Sequence, residues 1–404
     1  MHSDRAQGLS LSELVPCNCS VTSIASLRVN ASELGQLVAG LREQLRGEPK
    51  LVLAMASPTV PLKEALGTLK SGFPDAVVVG ATTSGEFTEH GDGTATVAVF
   101  ALAGDYAVFA GVGEGLSVNA EQAVLAALAG QPAELEGYPH RTAILLIDAL
   151  AGFGEEAALL LATFLGDSPL VGGAAGDDLA MKSTSVGTAD TVASDALMVA
   201  TIFSRAPLGV GVKHGHQSLS PQSYRVTRAD GPVVLEVDGR PAWDVWLEAA
   251  GPRARATGLD PEGKPGAFLL RFEAGLRVGH EFKVRAPLAP KPGGGILFAT
   301  PVDEGTVFQI MESDASAQVE SALEAARLAK QAMGGGEVAG ALVFDCICRK
   351  LILGDDYSPM VKQVSDALGG VRLAGFATYG EIAMNSGDMS GFHNTTTVVL
   401  TFPS

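Results

Sequence analysis

Cysteine is scarce here: four in 404 residues, as two tight pairs, Cys17 with Cys19 and Cys346 with Cys348. So few thiols exclude a disulfide scaffold. The C-x-C spacing is neither the C-x-x-C of a redox motif nor half of a zinc clamp, so reduced thiols are expected. Basic residues are also short, 28 Lys and Arg against 45 Asp and Glu, a formal charge of −17. No basic stripe is left to neutralise phosphates, which argues against nucleic acid and anionic membrane surfaces as partners. Long apolar runs are missing as well. The longest, such as "VAVFALAG" and "DALMVATIF", have strand length and fall short of the ~18 residues that suggest a membrane span. The stretch "MHSDRAQGLSLSELVPCNCS" lacks the basic start and apolar core of a signal peptide, so a cytoplasmic protein is expected.

What is present is ample core material, 47% hydrophobic residues in a length that suits two or three domains. A strand, helix, strand, glycine-loop pattern occurs three times. The first copy is Leu51 to Ser57, Pro61 to Leu69 and "DAVVVGATTSGEF". The second is "RTAILLIDAL", "FGEEAALLLATFLG" and "SPLVGGAAGDD". The third is "AGALVFDC", "SPMVKQVSDALGG" and "VRLAGFATYGEI". Such crossovers make parallel neighbours, and ligands favour the ends where these strands stop. Alternating runs such as "TATVAVFALAG", "DYAVFAGVG" and "TTTVVLTFP" read as antiparallel strands. The predicted fold is therefore α/β (α+β), with mixed parallel and antiparallel sheets and helices on their outer faces.

"GATTSGEF" (Gly80 to Phe87) and "GFATYGEI" (Gly375 to Ile382) share Gly, Thr, Gly and Glu at matching places in the first and third copies. This predicts two related halves from an internal duplication. The expected division is an N-terminal extension over 1–29, one domain over 30–230 and a second over 231–404. The Gly- and Pro-rich "GPRARATGLDPEGKPGAF" reads as a surface connection near the boundary. In "EVDGRPAWDVW", Trp243 and Trp246 share a helix face and are expected to pack in a core, or to form a partner surface if that face is exposed.

Together with "LVGGAAGDD", "LEVDGRPAWDVW", "FDCICRKLILG" and "FHNTTTVV", the two glycine loops make the chain resemble FIST-domain proteins, a bacterial sensory family with tandem FIST N and FIST C regions. The resemblance spans nearly the whole chain. It implies a sensor of small molecules such as amino acids. It also implies, through stand-alone nitric-oxide-sensing relatives, haem as a cofactor and a histidine kinase or other signalling protein as partner. No kinase, cyclase or receiver region is recognisable, so output is expected through a partner and no enzyme activity is assigned.

The residues themselves suggest where a ligand would sit. Gly172, Gly173, Gly375 and Gly380 let backbone approach a ligand, and amides in such turns can form an anion nest. Asp177 and Asp178 could take a cationic group, or cap the segment that follows. Glu86 and Glu381, beside Thr378 and Tyr379, could receive an ammonium while turn amides hold a carboxylate; the alternative is that each Glu ties its own loop to the neighbouring half. Only the third loop carries a phenol, so Tyr379 is expected in the pocket and Glu86 in the scaffold. His393 and Asn394 precede the last strand, and His393 or His214 would be the axial ligand if haem binds; His280 is a further isolated candidate. "HGH", His214 and His216, lacks a second Cys/His cluster and is not read as a metal site. Arg349 near Cys346 could lower its thiolate pKa, leaving a thiol-dependent enzyme or redox switch as the alternative to a buried strand cysteine.

Overall fold

The computed structural model describes residues 21–384 and 391–404. Cys17 and Cys19 lie outside these residues. Pro49–Ala56 is buried on both faces, as its unbroken apolar run requires: Leu53 and Met55 meet a central core, Val52 and Ala54 an outer helical layer. Helix Leu62–Gly72 carries it over to a parallel neighbour, Val77–Thr82. The unit recurs as His140–Ile147, helix Gly154–Leu165 and Leu170–Ala174. It recurs again as Val338–Cys346, helices Ile347–Leu353 and Tyr357–Ala367, and Arg372–Thr378.

Each unit adds a first and a last strand, giving one sheet order three times over. In the first sheet Ser23–Asn30 pairs antiparallel with Thr96–Ala103, which pairs antiparallel with Pro49–Ala56. Tyr106–Glu114 with Ala196–Ser204, and Gly209–His214 with Thr396–Pro403, do the same in the second and third. Ser23–Asn30, expected in an extension, is thus an edge strand of the first sheet.

A hairpin from another unit completes each sheet. Glu86–Thr88 with Gly91–Gly93, from the first unit, extends the third sheet. Val186–Thr188 with Val192–Ala193, from the second, extends the first. Glu381–Met384 with Gly391–His393, from the third, extends the second. The three six-stranded sheets therefore exchange hairpins in a ring. Their inner faces share one core, in which Met55, Leu146 and Phe344 are all fully buried or nearly so. Outer faces each carry their own helices. The mixed α/β architecture with outer helices is as predicted, and the two Gly-Thr-Gly-Glu loops are its first and third copies.

Between Gly209–His214 and helix Ala315–Ala332 the third unit carries an insertion, an eight-stranded antiparallel sheet from Gln217 to Glu312 with helices Ala242–Ala256 and Pro265–Arg271. The division expected at 230/231 falls in the turn joining two paired strands, Gln217–Asp230 and Val233–Val237. The expected surface connection is largely helical, the first helix running through Pro252. Trp246 fills this insertion's core, its indole N–H donating to the Phe272 carbonyl at 2.8 Å and its ring stacking 5.2 Å from Phe308.

Candidate ligand site

The three glycine loops meet where the parallel strands end. Ser84 N donates to Ala377 O, and Ala377 N returns a 2.7 Å bond to Gly85 O. Tyr379 N donates to Ala174 O, and Ala174 N to Gly380 O. Gly176 N donates to Thr82 O. Loop one thus holds strand three, loop three holds strand two, and loop two holds strand one.

The predicted glycines serve this packing and not an open cradle. A Cβ on Gly80, Gly172 or Gly375 would run into the carbonyl of Ala54, Leu145 or Val343 on the adjoining parallel strand. One on Gly173 would meet Thr378, and one on Gly380 the Phe392 ring. Protein atoms occupy the place of each missing Cβ, so strand and loop packing alone requires glycine at Gly172, Gly173, Gly375 and Gly380.

Both glutamates are fully buried locks. Glu86 accepts from Thr83 Oγ1 at 2.7 Å, from Thr96 N at 3.0 Å and from Thr96 Oγ1. Glu381 accepts from Thr378 Oγ1 and from Thr396 N at 3.1 Å. Each fastens its loop to the last strand of its own unit, while the strand it begins pairs with another unit's sheet. Burial pushes Glu86 up to about 6 against the pull of the threonine bonds. Burial likewise raises Glu381, helped by Cys346 and Asp345. Neither carboxylate faces solvent, so the ammonium-binding role considered for them is replaced by the structural one.

The second unit writes the same lock differently. Asp148, at the end of its parallel strand, accepts from Asp195 N at 2.5 Å, Leu150 N at 2.9 Å and Thr184 Oγ1. The residues entering the three last strands, Ala95, Asp195 and Thr395, all have φ between 48° and 57°. A carboxylate bonded to this turn is the shared feature, and it explains why "GGAAGDD" needs no Glu.

Asp177 and Asp178 divide the two roles weighed for them. Asp177 caps: its carboxylate accepts from the amides of Met181, Lys182 and Ser183. Although burial opposes it, the Tyr379 hydroxyl and these amides hold Asp177 below the usual carboxylate range. The Tyr379 O–H donates to Asp177 Oδ1 at 2.6 Å and accepts from Leu179 N at 2.7 Å. Asp178 is exposed, with φ 53°; its amide donates to Ser84 Oγ at 3.1 Å, and its carboxylate lies 3.4 Å from Ser57 Oγ. Partial burial raises its pKa, while Ser57 and the charge of Lys350 pull the other way. Lys350 Nζ, paired with Asp92 at 2.7 Å, lies 2.5 Å from where a Cβ on Gly85 would stand. Gly85, at φ 114°, therefore leaves room for a charged group through its missing side chain.

The site that emerges is a rim of Ser57, Ser84, Asp178, Lys350 and Tyr379, drawn from all three units. Ser57, Ser84 and Lys350 were not predicted as ligand contacts. Register gives the missing signal: Ala56, Ile147 and Asp345 occupy one position in the three sheets, so Ser57, Asp148 and Cys346 are equivalent. Lys350 follows Cys346 by one helical turn.

Cys346 lacks the surroundings that activate a thiol. It is buried, and burial pushes its pKa well above the ordinary value, with Cys348 beside it adding to the rise. Arg349, expected to activate it, is spent elsewhere: Nε bonds Asp345 at 2.7 Å, and the other nitrogens bond Gln318 and Ser321. Cys348 lies in helix Ile347–Leu353, so the pair spans a strand end and a helix start.

The histidines fit haem poorly. His393, cross-strand partner of Glu381, is wholly buried with neither ring nitrogen in hydrogen-bond geometry; burial, with Lys283 and Arg285 nearby, takes it down to about 3. His214 has both nitrogens engaged, with Phe282 O at 2.8 Å and His216 N at 3.2 Å. Asn394 ties the insertion to the core, accepting from Ala286 N and Thr300 Oγ1. The structure brings His280, isolated in the sequence, to a cleft of about 660 Å³ that the His214 and His216 pair also lines. No group of three metal-ligating side chains occurs among the described residues. No axial position suited to haem iron is built by His393 or His214.

Three interlocked α/β units thus bring a mixed-charge polar rim together at their shared strand ends. The FIST N domain matches residues 50–240 and the FIST C domain residues 242–384, so the chain belongs to the FIST family of sensory, small-ligand-binding domains of signal transduction. Among solved structures, cyanuric acid hydrolase from A. caulinodans is similar over 95% of this chain and 100% of that one, at 10% identity and a TM-score of 0.31. So distant a likeness bears on neither fold nor function. No curated protein matches the chain. No helix among the described residues is long and apolar enough to cross a membrane.

Proposed function

We propose that this chain is a cytoplasmic sensor that binds a small zwitterion of the amino-acid type at the junction of its three loops and signals through a protein partner without catalysis. The observation carrying this reading is an exposed carboxylate, Asp178, within the electrostatic reach of the Lys350 ammonium that Asp92 holds, beside the hydroxyls of Ser57, Ser84 and Tyr379. An ammonium suits Asp178 and a carboxylate suits Lys350, each in partly desolvated surroundings where charge-assisted bonds are strong. Thermal-shift measurements with free amino acids, their amides and their N-acetyl forms test it. Stabilisation by free amino acids alone supports the reading. Equal or absent shifts for all three sets reject it.

A further inference from the structure

The three outer helical layers are equivalent in the fold but not in chemistry. Six of the twelve large hydrophobic side chains exposed among the described residues, Val118, Leu125, Leu150, Phe153, Leu159 and Phe164, belong to the second unit's layer. Leu128 and Leu160 extend it as half-buried neighbours. The corresponding helices of the first unit expose Lys63, Glu64 and Ser71; those of the third expose Glu320, Arg327, Lys362 and Gln363, with Leu351 the one large apolar exception. Scattered apolar residues need no explanation, but a concentration on one of three like surfaces marks a covered face.

Charge around this face says what covers it. From Tyr106 to Met181 the chain has one basic residue, Arg141, against ten Asp and Glu; Asp148 and Asp177 are buried and Glu155 is held by Lys283 and Arg285, which leaves seven exposed acids. Arg141 is committed inward, bonding Ser168 Oγ and Leu165 O. Exposed Glu121 and Glu156 sit in the first turns of the two helices, Ala120–Leu128 and Gly154–Leu165. We propose that this apolar, acid-rimmed face is a docking surface for a partner protein presenting an amphipathic helix with an apolar stripe and a Lys/Arg rim. A second copy of this chain fits less well, since it would set acidic rim against acidic rim.

The surface also rests on the candidate site's own hairpin. Ile382 and Phe392 of the third unit pack beneath these helices, Tyr379 packs against the same cluster, and a Cβ on Gly154 would touch the Phe392 ring. Exposure and charge carry the proposal without the ligand reading, and the hairpin gives the two a shared element.

The test is fluorescence anisotropy of the full chain with three labelled synthetic peptides: an amphipathic helix with a Leu stripe and Lys rim, the same stripe with a Glu rim, and a scramble of the first. The Lys-rim helix is expected to bind at least about tenfold tighter than either control, and Leu159→Glu with Phe164→Glu to remove that margin while thermal melting holds. Should the double variant unfold, Leu159→Ser with Phe164→Ser serves in its place. Equal or absent binding of the three peptides overturns the proposal, as does binding untouched by the variants. Light scattering that shows a dimer dissociated by Leu159→Glu would overturn it in favour of a second copy.

Discussion

The Tyr379 hydroxyl of the third unit and the Asp177 carboxylate of the second meet at 2.6 Å across the loop junction. The phenol also receives the Leu179 amide, so one side chain fixes the segment that presents Asp178.

Tyr379→Phe removes both bonds and should lower stability at neutral pH by roughly 1–2 kcal/mol. Asp177 has a depressed folded-state pKa, so its contribution is present above the unfolded carboxylate range and fades as pH falls through the folded value. Urea titrations of both proteins should therefore differ most near pH 7 and converge in acid. A gap that widens in acid would show that Tyr379 does not act through Asp177.

Glu86 has the opposite sign. Its folded pKa of about 6 exceeds the ordinary 4.5, so the native state holds a proton that the unfolded chain releases, and stability falls as pH climbs between those values. The whole effect is about 2 kcal/mol. Glu86→Gln should flatten that part of the melting profile, even if Gln, which cannot accept all the threonine bonds, lowers the curve throughout. An unchanged slope would place the titration in another group.

Cys346 should resist alkylation. With a buried thiol and a raised pKa, iodoacetamide at neutral pH is expected to label it far more slowly in the native protein than in urea. Native labelling as fast as that of an unfolded chain would restore the redox-switch reading.

Gly375→Ala should fold poorly, because the new methyl meets the Val343 carbonyl and the Phe87 ring at once. A loss of several kcal/mol is expected, as for overpacking against backbone that cannot yield. Gly67→Ala is the contrast: nothing stands within contact of its Cβ, its backbone is helical inside Leu62–Gly72, and no loss of stability is expected. Equal losses at the two positions would contradict the packing role of Gly375.

Apolar runs and their periods made the three strand, helix, strand units legible, because buried parallel strands and amphipathic helices each leave a local pattern. The exchange of hairpins did not show. Glu86 pairs opposite Phe376, nearly three hundred residues away, and no local property of "GEFTEHGDG" names that partner. The insertion was hidden for the same reason, since Gly209–His214 reads as continuous with the strands that follow it. Asp178 and Tyr379 were legible as candidates because their loops are conspicuous in glycine. Ser57 and Lys350 were missed because each sits in a different unit and becomes a neighbour only through the ring. Glu86 and Glu381 illustrate the converse: of the two roles weighed for these carboxylates, their buried threonine partners favour the structural one.

The most direct measurement is isothermal titration of the full chain with free amino acids, comparing wild type with Asp178→Asn and Lys350→Met. Binding of at least one amino acid, weakened about tenfold or more by either substitution, is the result this account predicts. Binding that ignores both substitutions, or no binding of any amino acid, would contradict it.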